Sequence, residues 1–503
     1  DEQSSKGISF YGNGDTEVLL SLLESYSVRK VAMMLAGMFA FAHWNEKNQR
    51  GVLARDPFGI KPLYYLLAED GVVHFASEVS ALRQLVAKET PLAINAQREF
   101  LKWGSVPEPL TLFDGILALP AGHFLEWENG QIEIHTFSSI QFPTIASSDT
   151  DYVKQTRKAL EESVKRHLVA DVPVGLFLSG GIDSTALLAL TRQVLDSRAD
   201  IRTFSIGFDN PEYDESSVAR KTAEHFGTDH IEWIMSSSEG RDEIQGYLKH
   251  MDQPTIDGFN TWCVSKLARQ NGVKVVLSGL GGDELFAGYG SFKNVPKFMN
   301  GYSKLGPLRI PAVWFLGCFS EGSKWRRLAS FLRSNGDWLD AFHAQRGIFI
   351  IEEVDQLVGG GIVESSKVDT GSFECEEPLD SVSLLELTRY MRNQLLRDSD
   401  VFSMAHGLEL RVPFVDMRLF DSLSAIPASI RLRQGKQLLL EAIPEIPIWV
   451  RERPKYGFRF PFNDWVTEVL GDQLELVEKN SSIKLNSWFR KWAMVALENA
   501  SSQ

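Results

Sequence analysis

Val174-Gly175-Leu176-Phe177-Leu178-Ser179-Gly180-Gly181-Ile182-Asp183-Ser184 joins an apolar run to a pair of glycines, and Thr185 to Leu195 then continues at helical periodicity. A strand feeding a glycine turn feeding a helix is the phosphate-handling unit of α/β folds. Glycines let backbone N–H groups approach phosphate oxygens, the hydroxyls of Ser179 and Ser184 add donors, and the helix N-terminus supplies partial positive charge. The GK[ST] ending of a Walker loop is missing. Asp183 inside such a loop would repel a triphosphate unless a hard cation stood between them, so Mg²⁺ is implied. The bland reading is a glycine turn capped by Ser or Asp, against which the strand-turn-helix context weighs.

A second turn of the same kind lies downstream. The strand-like run Val273 to Ser278 leads into Ser278-Gly279-Leu280-Gly281-Gly282-Asp283-Glu284-Leu285-Phe286-Ala287-Gly288-Tyr289. Arg202 to Phe208 is another strand-like run, and helical text separates all three. That alternation predicts a parallel sheet covered by helices. The carboxyl ends of parallel strands share one edge, so the turns after residues 178 and 278 are expected to face one crevice, where Asp283 joins Asp183 on the metal. Taken alone, the second turn also suits an acidic first turn of an ordinary helix.

Working outward, Tyr152 to Ala170 reads as a helix, Leu384 to Gln437 as helices with loops, and Ile443 to Trp465 as loop-rich. Residues 291–377 have mixed aromatic and charged helical character and no motif. Within them Ile310 to Ser320 is the longest uncharged apolar stretch. It is about half of the ~20 residues that span a bilayer, and a buried helix is expected there. Upstream, Gly14 to about Phe137 is strand-rich with short apolar runs and turns, an α+β unit. The Ser/Thr-rich text of Ser138 to Asp151 predicts a surface linker and a domain boundary, giving parts 1–140 and 141–503.

A chain of 503 residues has room for two or three domains. Its net charge of −14 gives no general attraction to a polyanion, which argues against nucleic acid as the partner and makes any phosphate site local. Cys263, Cys318 and Cys375 are widely spaced without a CxxC pair, so neither a disulfide framework nor a zinc site is suggested and a reducing cytoplasm fits. No membrane partner is expected either. The first residue is Asp1, with no charged-then-apolar leader after it, which suggests a chain beginning partway through a larger protein.

The first turn resembles the pyrophosphate loop of N-type ATP pyrophosphatases, and the second resembles the corresponding loop of asparagine synthetases. Further matches follow in order. Gly407-Leu408-Glu409-Leu410-Arg411-Val412-Pro413-Phe414-Val415-Asp416 is similar to that family's G-x-E-x-R-x-P-F-x-D segment, and Lys455-Tyr456-Gly457-Phe458 to its late lysine loop. Gly37 to Phe41, Ala54 to Tyr65 and Phe75 to Glu78 resemble the later part of its glutamine-hydrolysing domain.

The resemblance implies an incomplete Ntn-hydrolase-like α+β domain followed by an α/β domain of the HUP-like ATP pyrophosphatase kind with added helices. It implies ATP and Mg²⁺, adenine near Phe177, Ile206, Ser278 and Gly279, phosphates on Ser179, Gly180, Gly181, Asp183 and Ser184, and metal on Asp183 and Asp283. Lys455 is the implied transition-state cation. The reaction implied is asparagine synthesis from aspartate through β-aspartyl-AMP, with nitrogen from glutamine or ammonia, in the cytoplasm; a homodimer is compatible.

Two departures bear on substrates. Leu280 stands where the family carries glutamate, which leaves open a ligase amidating or cyclising another carboxylate. A catalytically silent nucleotide-binding homologue is a separate alternative, against which Asp183, Asp283 and Lys455 weigh. Glu409 is the candidate replacement base, with a salt bridge to Arg411 its simpler role. No cysteine precedes Cys263, so the cysteine nucleophile of glutamine hydrolysis has no counterpart. This chain as written is expected to use ammonia, and an additional amino-terminal segment would restore glutamine. Asp15, in Gly14-Asp15-Thr16-Glu17, matches the aspartate that holds the glutamine amine, and equally suits a helix cap.

Overall fold

The computed structural model describes residues 10–12, 14–86, 91–143, 151–195, 200–209, 216–318, 324–359, 373–453 and 461–502. The amino-terminal part is built on two antiparallel sheets. One contains β1 (Ala40–Asn45), β2 (Arg50–Arg55), β6 (His123–Glu128) and β7 (Gln131–Thr136) in the order β1-β2-β6-β7. The other contains β3 (Tyr64–Leu67), β4 (Val73–Ala76) and β5 (Ile116–Ala118) in the order β4-β3-β5. Leu53 and Leu125 from the first sheet meet Tyr65 from the second in one buried cluster. This is the apolar face each sheet must cover.

The larger part carries the expected parallel sheet. Strands β8 (Val174–Phe177), β9 (Arg202–Phe208), β10 (Asp229–Met235), β11 (Val275–Leu277) and β12 (Glu409–Arg411) run in the order β10-β9-β8-β11-β12, and every pairing is parallel. The chain winds from β8 outward through β9 to β10, then returns to start β11 on the other flank of β8. The strand order therefore reverses between β8 and β11, the place where open α/β sheets leave a ligand crevice beyond their carboxyl ends.

Helix α1 (Tyr152–His167) and helix α2 (Ile182–Val194) cover this sheet. The side chain of Asp151 accepts the Lys154 amide at 3.1 Å and caps α1. Every residue of α2 from Ser184 to Thr191 is buried, so its position beneath the crevice is fixed by packing.

The two parts share their cores. Phe58 and Ile60 enter the cluster around the parallel sheet, with Phe58 edge-on to Phe420 at 5.9 Å between ring centres. Glu108 lies between Arg55 at 2.9 Å and Arg392 at 3.2 Å, and Lys61 meets Asp400 at 2.8 Å.

Two sequence expectations are corrected. The described part of the anticipated surface linker, residues 138–143 and 151, is not all at the surface: Ile140 is buried, and Phe142 packs edge-on to Phe420. Two apolar side chains there gain more by burial than a mobile linker would retain. The apolar stretch from Ile310 does form a helix, Arg309–Gly317, but none of its residues is buried. Hydropathy gave the amount of apolar surface and carried no information on how much of it neighbouring helices could cover.

Candidate functional site

Gly180 opens the first turn with φ +69°, and a Cβ there would lie 3.0 Å from the Ala219 amide. Gly281 has φ +96° in the second turn, where a Cβ would stand 2.7 Å from Val415. Both positions need glycine for conformation and for space. Gly279 shows how closely the turns meet: a Cβ on it would lie 3.0 Å from the Ser184 amide and 3.1 Å from the Asp183 side chain. The two loops are in van der Waals contact across the strand-order reversal.

Asp183, in the first turn of α2, and Asp283, in the short helix Gly282–Leu285, converge on one cation, the ammonium of Lys436, which pairs with both. Lys436 is 4% exposed and has φ +60° at the start of helix Gln437–Ala442. Burial alone would lower its pKa, but the charges of Asp183 and Asp283 outweigh burial and raise it. The lysine was missed in the sequence because a single Gly435-Lys436 pair in a loop has no strand before it to mark a phosphate turn.

Above this triad lies a cavity of about 310 Å³. Phe177, Ser179, Asp183, Ser184, Ile206, Ser278, Gly279 and Asp283 all line it, together with Leu280, Leu410 and Glu284. Gly180 and Gly181 form the turn beneath. The Ser179 and Ser184 hydroxyls lie 3.1 Å apart, and Ser184 Oγ also reaches the Gly181 carbonyl at 3.3 Å.

Glu284 follows Asp283 in the second turn, where its position in the sequence assigns it no role. It is 1% exposed; its Oε1 accepts the Tyr289 hydroxyl at 3.0 Å, and Oε2 has no hydrogen-bond partner among the described residues. Burial, with Asp283 and Glu386 nearby, pushes its carboxyl up to about 8. Tyr289 separates this cavity from a second of about 390 Å³. There the Arg346 guanidinium sits 3.7 Å from the Tyr390 ring centre and 4.4 Å from that of Tyr289, paired with Glu386 at 2.7 Å.

Glu409 is not at the site. It begins β12, opposite Val275 at the start of β11, whereas the cavity lies beyond the strands' other ends. Its carboxylate is bound by Arg411 Nε at 2.7 Å, and Arg411 also donates to the carbonyls of His167 and Val169. The strand direction sets Glu409 at the end of β12 away from the cavity lining, and the pair with Arg411, the simpler of the two roles expected for it, is the contact it makes. In the same segment Leu410 lines the cavity, while Asp416 caps helix Met417–Ser424 and pairs with Arg166 at 2.9 Å. Lys455 lies outside the described residues.

Among the described residues no group of three or more His, Cys, Asp or Glu side chains forms a metal cage. The two carboxylates Asp183 and Asp283 at the cavity suit Mg²⁺, which is usually bound through one or two carboxylates plus phosphate oxygens.

In the amino-terminal part Asp15 starts helix Asp15–Ser25; Gly14 is the cap and makes no side-chain bond. Asp15 lines a cavity with Met38, Phe39, Phe41, Ser77 and Glu78, so three separated sequence motifs meet there.

Residues 155–502 match the family model described as asparagine synthase, and residues 1–138 match the glutamine amidotransferase domain. The chain belongs to the asparagine synthetase family. It is 32% identical over 498 residues to asparagine synthetase [glutamine-hydrolyzing] 1 of Bacillus subtilis, covering 96% of this chain and 76% of that one. A putative asparagine synthetase [glutamine-hydrolyzing] of Mycobacterium tuberculosis is 32% identical over 480 residues, covering 92% and 72%. Amidase chry2 of Gibberella zeae is 24% identical over 518 residues, covering 93% and 76%. In this asparagine synthetase family member no helix among the described residues is long and apolar enough to cross a membrane.

Proposed function

We propose that the protein is an ATP-dependent ligase that makes asparagine from aspartate. The observation that carries this reading is the meeting of two glycine turns at the strand-order reversal, with Asp183 and Asp283 on one cation beneath a nucleotide-sized cavity. An aspartate side-chain oxygen attacks the α-phosphorus of ATP, the bond to the β-phosphate oxygen breaks, and pyrophosphate leaves. Ammonia then attacks the acyl carbon, AMP departs with the bonding electrons, and the nitrogen loses a proton. Activation is needed because a carboxylate resists nucleophiles, whereas a phosphate monoester is a good leaving group.

The chain's residues act on charge. Backbone N–H groups of the first turn and the N-terminus of α2 receive the pyrophosphate. Asp183 and Asp283 would hold Mg²⁺, which supplies neutralisation of the phosphates. Lys436 moves from the aspartates toward the nucleotide, and Lys455 supplies a further cation. Nitrogen comes from glutamine through residues 1–138, with Asp15 holding its amine, or from free ammonia. A cytoplasmic setting suits these substrates.

Isotope exchange between pyrophosphate and ATP tests the reading. Exchange that requires aspartate and Mg²⁺, and that falls at least about 100-fold in Lys455→Ala, is expected. Absence of exchange at saturating aspartate and MgATP would sink it.

A further inference from the structure

Helix α4 (Arg309–Gly317) lies in the chain between α3 (Ser291–Leu305) and α5 (Lys324–Arg333). It packs on α5, and its inner side enters the surrounding apolar cluster through Ala312, Val313 and Leu316, all partly buried. Its outer side is apolar as well: Ile310, Trp314 and Phe315 are 80%, 75% and 63% exposed, and Leu308 just before it is 65% exposed. Residues 310, 314 and 315 share one side of a helix, so these rings and chains adjoin. A helix apolar all round belongs inside a protein or against lipid, and a contiguous patch of this kind on a surface marks an interaction site.

Charge narrows the choice of occupant. Residues 291–335 hold eight lysines and arginines against one acidic residue, net +7, in a chain whose total is −14. Lys304 and Arg309 lie at one end of the apolar side. Lys324 lies beyond the other, 5.1 Å from the ring centre of the 40% exposed Trp325. Tryptophan and phenylalanine bordered by lysine are the composition of segments that rest in the headgroup layer of an anionic membrane. A second copy applied through the same face would bring another set of Lys304, Arg309 and Lys324 against these, so like charge opposes that occupant.

We propose that α4 and the start of α5 dock this protein on the surface of an anionic phospholipid bilayer, with Ile310, Trp314 and Phe315 entering the headgroup region. The contact is peripheral, since nine residues of α4 are far short of the ~20 that cross a bilayer. It stands apart from the adenylation reading.

The test is co-sedimentation of the full chain with vesicles of phosphatidylcholine alone or with about 30% phosphatidylglycerol. Pelleting is expected only with the anionic vesicles. It should fall about tenfold in a Trp314→Ser, Phe315→Ser double variant, and likewise in about 0.5 M salt. ATP–pyrophosphate exchange should be the same in both proteins. Failure to pellet with anionic vesicles overturns the proposal, as does pelleting that the double variant leaves unchanged. A lipid-free, concentration-dependent dimer that the variant abolishes also overturns it, because a second copy would then cover this face.

Discussion

Replacing Lys436 by methionine keeps the volume of the buried side chain and removes the ammonium that separates Asp183 from Asp283. Oxygens on either side of one ammonium stand roughly 5 Å apart, and two negative charges at that distance repel by about 3 kcal/mol at an effective dielectric of about 20. Both aspartate side chains keep 19% of their exposure, so water screens part of this. A net loss of about 2 kcal/mol remains, a fall in melting temperature of about 2 °C for a chain of 503 residues. The same repulsion makes the variant a better magnesium ligand. Melting is to be followed by near-UV circular dichroism without nucleotide, with EDTA and then with increasing MgCl₂. Lys436→Met should recover most of the lost stability as Mg²⁺ rises, while the wild type, whose own cation fills the place, should move little. A variant that melts with the wild type in EDTA and ignores Mg²⁺ would refute the electrostatic account of the triad.

Glu284→Gln removes a buried acid whose pKa is pushed up to about 8 by burial and by Asp283 and Glu386. Between the unfolded value of about 4.3 and the folded value, the native protein keeps a proton that the unfolded chain has lost, so wild-type stability falls as pH rises through that window. The glutamine variant should therefore melt higher than wild type at about pH 7.5 and match it near about pH 4.5; equal melting at both would contradict the burial argument. Glu409→Gln breaks a pair with Arg411 in which the glutamate side chain is 40% exposed. It should cost under about 1 kcal/mol and leave both pyrophosphate exchange and amide formation near wild type, and a selective loss of amide formation in steady-state assays would return Glu409 to the chemistry.

The core of the site was legible because strands and glycine turns write themselves locally. Arg202–Phe208 was bounded correctly from its residues alone, and the turns after β8 and β11 could be paired because parallel strands share an edge. Lys436 was illegible because it comes from a loop far along the chain, with no periodic element to announce it. β12 escaped for a related reason, since three residues cannot display a period, and its direction is what removes Glu409 from the crevice. The helix at Ile310 was legible as a helix but not in its exposure, which depends on how much of its circumference neighbouring helices cover.

The shared packing of the two parts bears on how such an enzyme can be taken apart. Cutting away residues 1–138 would strip Phe58 and Ile60 from the hydrophobic mass around the parallel sheet and strand Arg392, a side chain 14% exposed, without Glu108. The ligase half is thus no free-standing cassette: it inherits part of its interior from its neighbour, and swapping in a foreign amidotransferase half would have to restore that interior before any nitrogen could be delivered.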